Sequence, residues 1–358
     1  MRRALLLAAL LAVASLPGNF ARLTSPHPPP RVVLAAPAAS ASSATPYDDE
    51  SQTEALVARA HDLTNLTAIG SAPFRFRASL FFNDPSGDPR IPPARGTYVF
   101  TWEAPDKWRE DAELLHLKQI EIANGGTLST KRNAPYPSYS YWWTRNAIAI
   151  TRGVVYHFDS FTRFEISQIA GRNMVCATNG GTRVQQQLCL DTATALPLAQ
   201  FDSTLNLQYF FTDWAEWDNR WYPRTIRAFS GKELMLRVEI ANVFDAPPES
   251  TWIAPPQGAT SREWCANMRA PRLSDAIENA AIPDPSAQPG AAPLIGAIVY
   301  GVIGKDGSWL DLSVLESPDF KAAYLMLERL RQYRNQPANC HGAPVESEMI
   351  FRISPPPR

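Results

Sequence analysis

In successive runs between residues 74 and 122 the side chains alternate between apolar and polar with a period of two, which is the pattern of half-buried β-strands. Phe74, Phe76, Ala78, Leu80 and Phe82 interleave with Arg75, Arg77 and Ser79. Tyr98, Phe100 and Trp102 alternate with Thr97, Val99 and Thr101, and Trp108, Glu110, Ala112 and Leu114 keep the same rhythm. Ile120 and Ile122 then lead into the turn Asn124-Gly125-Gly126. A further hairpin follows, with residues 225–229, the turn Ser230-Gly231-Lys232, and Leu234, Leu236, Val238 and Ile240. Short strands separated by Gly, Pro and Asn predict an antiparallel β body over residues 48–254. One helix leads it, carried by Ala55, Leu56, Ala58, Ala60 and Leu63.

The C-terminal part has a different plan. Residues 298–303 are apolar and largely β-branched, and Lys305-Asp306-Gly307 supplies turn chemistry. Leu310, Leu312 and Val314 then alternate with Trp309, Asp311 and Ser313, closing a hairpin. Ser317-Pro318-Asp319 is a helix start. Phe320, Ala323, Tyr324, Leu327, Leu330 and Arg334 fall on one helical face, and Pro337 ends the helix. Val345, Met349, Phe351 and Ile353 alternate with Glu346, Glu348 and Arg352 as a third strand. The expected order is β-β-α-β, one helix covering a small sheet.

This order resembles the TonB C-terminal domain over residues 273–354, through the turn Gly301-Val302-Ile303-Gly304-Lys305-Asp306-Gly307 and the approach Pro337-Ala338-Asn339-Cys340-His341-Gly342-Ala343-Pro344-Val345-Glu346. The resemblance implies a Gram-negative envelope protein that contacts an outer-membrane receptor, or another envelope partner, by pairing an extended segment with a sheet edge. The implied edge is Glu346, Ser347, Glu348, Met349, Ile350, Phe351 and Arg352. Of the aromatics that usually close the helix, only Tyr333 is present, and Ile282-Pro283-Asp284-Pro285 replaces the usual Tyr-Pro lead-in. In the larger domain, the run from Gly96-Thr97-Tyr98 to Asp106-Lys107-Trp108-Arg109, with Trp221-Tyr222-Pro223-Arg224 later, is similar to the LolA/LolB-type half-barrel. That likeness implies a curved sheet around a few helices and an apolar cavity.

Met1-Arg2-Arg3 followed by an apolar run to Leu16 is a secretory signal pattern over residues 1–21, or an uncleaved tether. A Pro/Ala/Ser-rich spacer over residues 22–47 follows, and breaker clusters place a linker at residues 255–272. The formal net charge of -1 argues against nucleic acid or anionic membranes as general partners. Four cysteines in an exported chain favour two disulfides. Three connectivities are open: Cys176 and Cys189 flank the turn-like Asn179-Gly180-Gly181 and so are expected to face each other across a hairpin, in which case Cys265 would pair with Cys340, and reduced, buried cysteines are the alternative.

Aromatic clusters offer a lined cavity for an acyl chain or peptide, with Trp142, Trp143, Trp214 and Trp217 as its lining; core packing of a twisted sheet is the competing account. His157 and Asp159 share a strand face without a nucleophile elbow to complete a triad. Asp106, Glu110, Asp111 and Glu113 are taken as a solvated face. No cofactor fingerprint, metal signature or catalytic set is visible. The expectation is a non-enzymatic periplasmic binding protein. An energy transducer and a carrier of lipid, lipoprotein or another apolar ligand are the alternatives.

Overall fold

In the computed structural model, which describes residues 50–83, 94–114, 116–153, 163–169, 172–179, 186–202, 207–274, 297–317 and 319–353, the alternating runs become one open antiparallel sheet. The strands are β1 (Phe74–Phe82), β2 (Ala94–Ala104), β3 (Lys107–Leu114), β4 (Leu117–Asn124), β5 (Thr127–Arg132), β6 (Arg163–Ile169), β7 (Arg172–Asn179), β8 (Gln186–Asp191), β9 (Pro197–Asp202), β10 (Leu207–Trp217), β11 (Arg220–Ser230), β12 (Glu233–Asp245) and β13 (Thr260–Glu263). Their order is β13-β5-β4-β3-β2-β1-β12-β11-β10-β9-β8-β7-β6, so two meanders join where β1 pairs with β12. The fold is mainly β with few helices, as the alternation predicts. The residues expected to form a signal and spacer, and the pair His157 and Asp159, lie outside the described residues.

One face of this sheet is apolar. Phe74, Phe76, Tyr98, Phe100, Tyr209, Phe211, Ile226 and Val238 are buried there in a single core. The helices α1 (Glu50–Thr64) and α2 (Tyr139–Ala149) add Leu56, Ala60, Tyr141, Ala147 and Ile148 to it. Helix α2 is a second helix in a body for which one leading helix is expected. Ser138 caps it, its hydroxyl accepting from the Tyr141 N–H. The stretch expected as a linker also carries structure: β13 pairs with β5 and forms one edge of the large sheet.

The C-terminal module has β14 (Ala297–Ile303), β15 (Trp309–Glu316), α3 (Phe320–Leu330), the short hairpin β16 (Ala338–Cys340) and β17 (Ala343–Val345), and β18 (Ser347–Ile353). Its sheet has the order β15-β14-β18. Ala297, Val299, Leu312, Phe351 and Ile353 pack under Ala323, Leu327 and Leu330 of α3. Phe320 and Tyr324, expected on that buried helix face, are exposed. Val345 belongs to β17 rather than to the last strand, and Glu346 falls between the two.

The expected parity of β15 is also corrected at its start. A bulge shifts the register between Val302 and Ile303, so Trp309 pairs with Ile303 and Leu310 is left exposed. Trp309 turns inward, stacks on Phe351 at 5.6 Å between ring centroids, and donates its indole N–H to the Leu330 carbonyl. Its ring lies over Gly301, where an added Cβ would come within 2.3 Å of a ring carbon. Gly301→Val should therefore displace Trp309 and cost about 1–3 kcal/mol, read by urea unfolding and tryptophan fluorescence.

Candidate functional site

Strand β18 is an outer strand, hydrogen-bonded to β14 on one side. Among the described residues, no backbone group pairs with its other side. Its side chains divide by parity. Met349, Phe351 and Ile353 face the α3 core, while Glu348, Ile350 and Arg352 share the face of Ile298, Tyr300 and Val302.

That second face packs on the large domain. The Glu348 carboxylate accepts from the Arg132 guanidinium at 2.8 Å and from Arg262 at 2.6 Å. Arg132 ends β5 and Arg262 sits in β13, so both come from the last two strands at that end of the sheet. Arg132 also lies over the Tyr300 ring, and Tyr136 meets that ring at 5.5 Å. Ile298 and Tyr300 are buried as a result. Lys305 pairs with Glu263, and the Cys265–Cys340 disulfide ties the exit of the large sheet to β16. Glu348, one of the residues of the implied partner-binding edge, is thus already committed to two arginines of its own chain.

Burial raises the pKa of Glu348, but Arg262 and Arg132 outweigh it and hold the carboxyl below its ordinary range. A carboxyl that releases its proton more readily folded than unfolded contributes stability above its unfolded pKa, about 4.3. That contribution is lost as pH falls through the lower folded value. Thermal melts should therefore show stability falling below about pH 4, and Glu348→Gln should make that acid-side slope shallower.

A second buried charge cluster lies beneath α2. Glu110, on β3, is buried at 1% exposure, which corrects its reading as solvated; the strand rhythm that places Trp108 and Ala112 inward also places it there. Its carboxylate accepts from Arg152 and from the Tyr141 hydroxyl, and Arg145 is 3.5 Å away. Arg152 also donates to the Tyr98 hydroxyl at 2.8 Å. Glu121 on β4 accepts from Gln119 at 2.8 Å and pairs with Arg145 at 3.4 Å.

The two carboxyls are pulled apart electrostatically. Burial raises Glu110, yet Arg145 and Arg152 bring it well below the usual carboxylate range. Burial raises Glu121, and the negative charges of Glu110 and Glu348 add to this against Arg145. The Tyr98 and Tyr141 hydroxyls are pushed up, chiefly by burial, and stay protonated. Each acid in the cluster meets an arginine or an amide. The arrangement fastens α2 to β3 and β4.

The tryptophans expected to line a cavity lie on two elements, α2 and β10. Trp142 and Trp143 lie on α2 against Tyr139, at 5.9 and 4.8 Å. Trp214 and Trp217 lie on β10 against Phe211 and Phe74, at 6.4 and 5.4 Å. All four are partly buried against the main core. Cys176 and Cys189 face each other directly across β7 and β8 and are joined by a disulfide. No cluster of His, Cys, Asp or Glu suited to a metal ion occurs among the described residues.

No protein-family model matches the chain, and no curated protein matches it. Among solved structures, a LolA superfamily protein (NE2245) from Nitrosomonas europaea is 10% identical, with 56% of this chain and 96% of that chain covered and a TM-score of 0.39. MucB is 13% identical over 62% of this chain and 68% of its own, with a TM-score of 0.25. The Pseudomonas aeruginosa MucA/MucB complex is 11% identical over 84% of this chain and 93% of that chain, with a TM-score of 0.23. Likenesses this distant leave fold and function to be argued from the chain's own residues.

Proposed function

We infer that this is a non-enzymatic protein of the bacterial envelope that binds a partner by strand addition at β18. The observation that carries the reading is the outer side of β18, which has no backbone partner among the described residues. Its inner side is fixed to β14, and its body-facing side chains are anchored through Glu348. An extended segment laid beside such an edge gains main-chain hydrogen bonds without rearranging the module. The large sheet then serves as a rigid mount, with the Cys265–Cys340 disulfide and the arginine clasp keeping the edge oriented.

Two disulfides support a periplasmic or exported location, since they persist in oxidising compartments. The TonB-like sequence pattern makes an outer-membrane receptor, or another envelope protein presenting an extended strand, the partner class. The test is capture from envelope extract by the full chain, compared with chains carrying a proline in β18. A partner held equally by every proline variant would remove strand addition as the mechanism.

A further inference from the structure

The sheet face opposite the core carries an arrangement that the overall charge of the chain conceals. Across four adjacent strands, register places Arg227 of β11 opposite Arg237 of β12, Arg237 opposite Phe81 of β1, and Phe81 opposite Arg95 of β2. The Arg237 guanidinium sits 4.4 Å from the Phe81 ring centroid and that of Arg95 5.8 Å from it, so the ring lies between two cations. Farther along β1, Arg77 and Arg75 project from the same face. Arg75, Arg77, Arg95 and Arg227 are exposed, and among the described residues none of them pairs with a carboxylate. Glu239, paired with Arg237 at 3.2 Å, is the acid beside this row.

Directly opposed like charges on neighbouring strands are destabilising, so the row calls for an anionic counterpart. The geometry constrains what that counterpart is. Each of β1, β2, β11 and β12 is hydrogen-bonded on both sides, so an extended peptide finds no free backbone edge here. The cations are spread in two dimensions, with neighbouring strands about 4.8 Å apart. Phe244, 57% exposed and opposite Arg75, places an aromatic side chain at the end of the patch. Spread guanidinia beside an exposed aromatic suit a plane of phosphate headgroups over an apolar layer.

We propose that the outer face of β1, β2, β11 and β12 docks on an anionic lipid bilayer, with Arg77, Arg95, Arg227 and Arg237 contacting lipid phosphates and Phe244 entering the headgroup layer. The net charge of -1 argues against such a partner only when the charge is taken as uniformly spread.

Flotation of the full chain with phosphatidylcholine vesicles, with and without phosphatidylglycerol, tests this. Expected is partition onto the phosphatidylglycerol vesicles at low salt and its loss at high salt. The triple variant Arg77→Gln, Arg95→Gln, Arg227→Gln should bind on the order of a hundredfold more weakly. Its altered side chains are exposed, so its melting curve should match the parent's. Both proteins share the N-terminal segment, so the difference between them belongs to the patch. Equal partition onto both vesicle types overturns the proposal, as does phosphatidylglycerol binding that the triple variant retains. Arginine-dependent binding to soluble poly-glutamate without vesicle binding also overturns it and assigns the face to an acidic chain.

Discussion

Replacing Glu110 by glutamine is expected to destabilise the protein by roughly 3 to 5 kcal/mol in urea unfolding. The side chain is buried, and its carboxylate is the shared counterion of Arg152 and Arg145. Glutamine keeps the shape and removes the charge, leaving the Arg152 guanidinium without its carboxylate beside apolar core while Arg145 keeps Glu121. Arg145 retains 38% side-chain exposure and can be partly hydrated, which moves the expected cost toward the lower end of the range. Removing Arg152 as well, in a Glu110→Gln, Arg152→Gln double variant, should recover part of the loss because one uncompensated charge disappears with it. A cost below about 1 kcal/mol for the single variant would mean that the cluster is solvated.

Of two adjacent substitutions, Met349→Pro and Ile350→Pro, one should weaken partner capture with the smaller loss of stability. The other should weaken the fold more. Successive amides of a strand point to opposite edges, so one of these two N–H groups faces β14 and the other faces outward. Proline removes the N–H in either case. Where the lost amide faced outward, the partner's carbonyl is left unsatisfied. That costs about 1–3 kcal/mol, or roughly a 5- to 150-fold loss in affinity. The pair carries its own control, since the variant with the lower melting temperature identifies the inward amide.

The meanders were legible because period-two alternation survives wherever one sheet face is buried. The β-β-α-β order was legible for the same reason, together with its turn and cap residues. Other features depend on contacts that local pattern does not encode. Tyr139, Tyr141, Trp142 and Trp143 have the composition of a strand, and the helix they form is signalled only by the Ser138 cap. One extra residue in β15 exchanges the sides of Trp309 and Leu310, and nothing in the local alternation marks that bulge. Glu110 sits at a buried parity, yet a carboxylate there makes sense only once Arg145 and Arg152 are known to arrive from α2 and its end. The clasp on Glu348 joins residues 216 and 86 positions apart, far beyond the reach of spacing arguments. What the sequence presented as a free acidic side chain on an edge strand is an anchor between two modules.

Amide hydrogen exchange along β18, compared between the free protein and the captured complex, tests strand addition most directly. The account predicts slowed exchange at alternate amides within Ser347–Ile353, those facing away from β14, with the outer strands β6 and β13 of the large sheet unchanged. Unchanged exchange along β18, with protection arising at β6 or β13 instead, would contradict it.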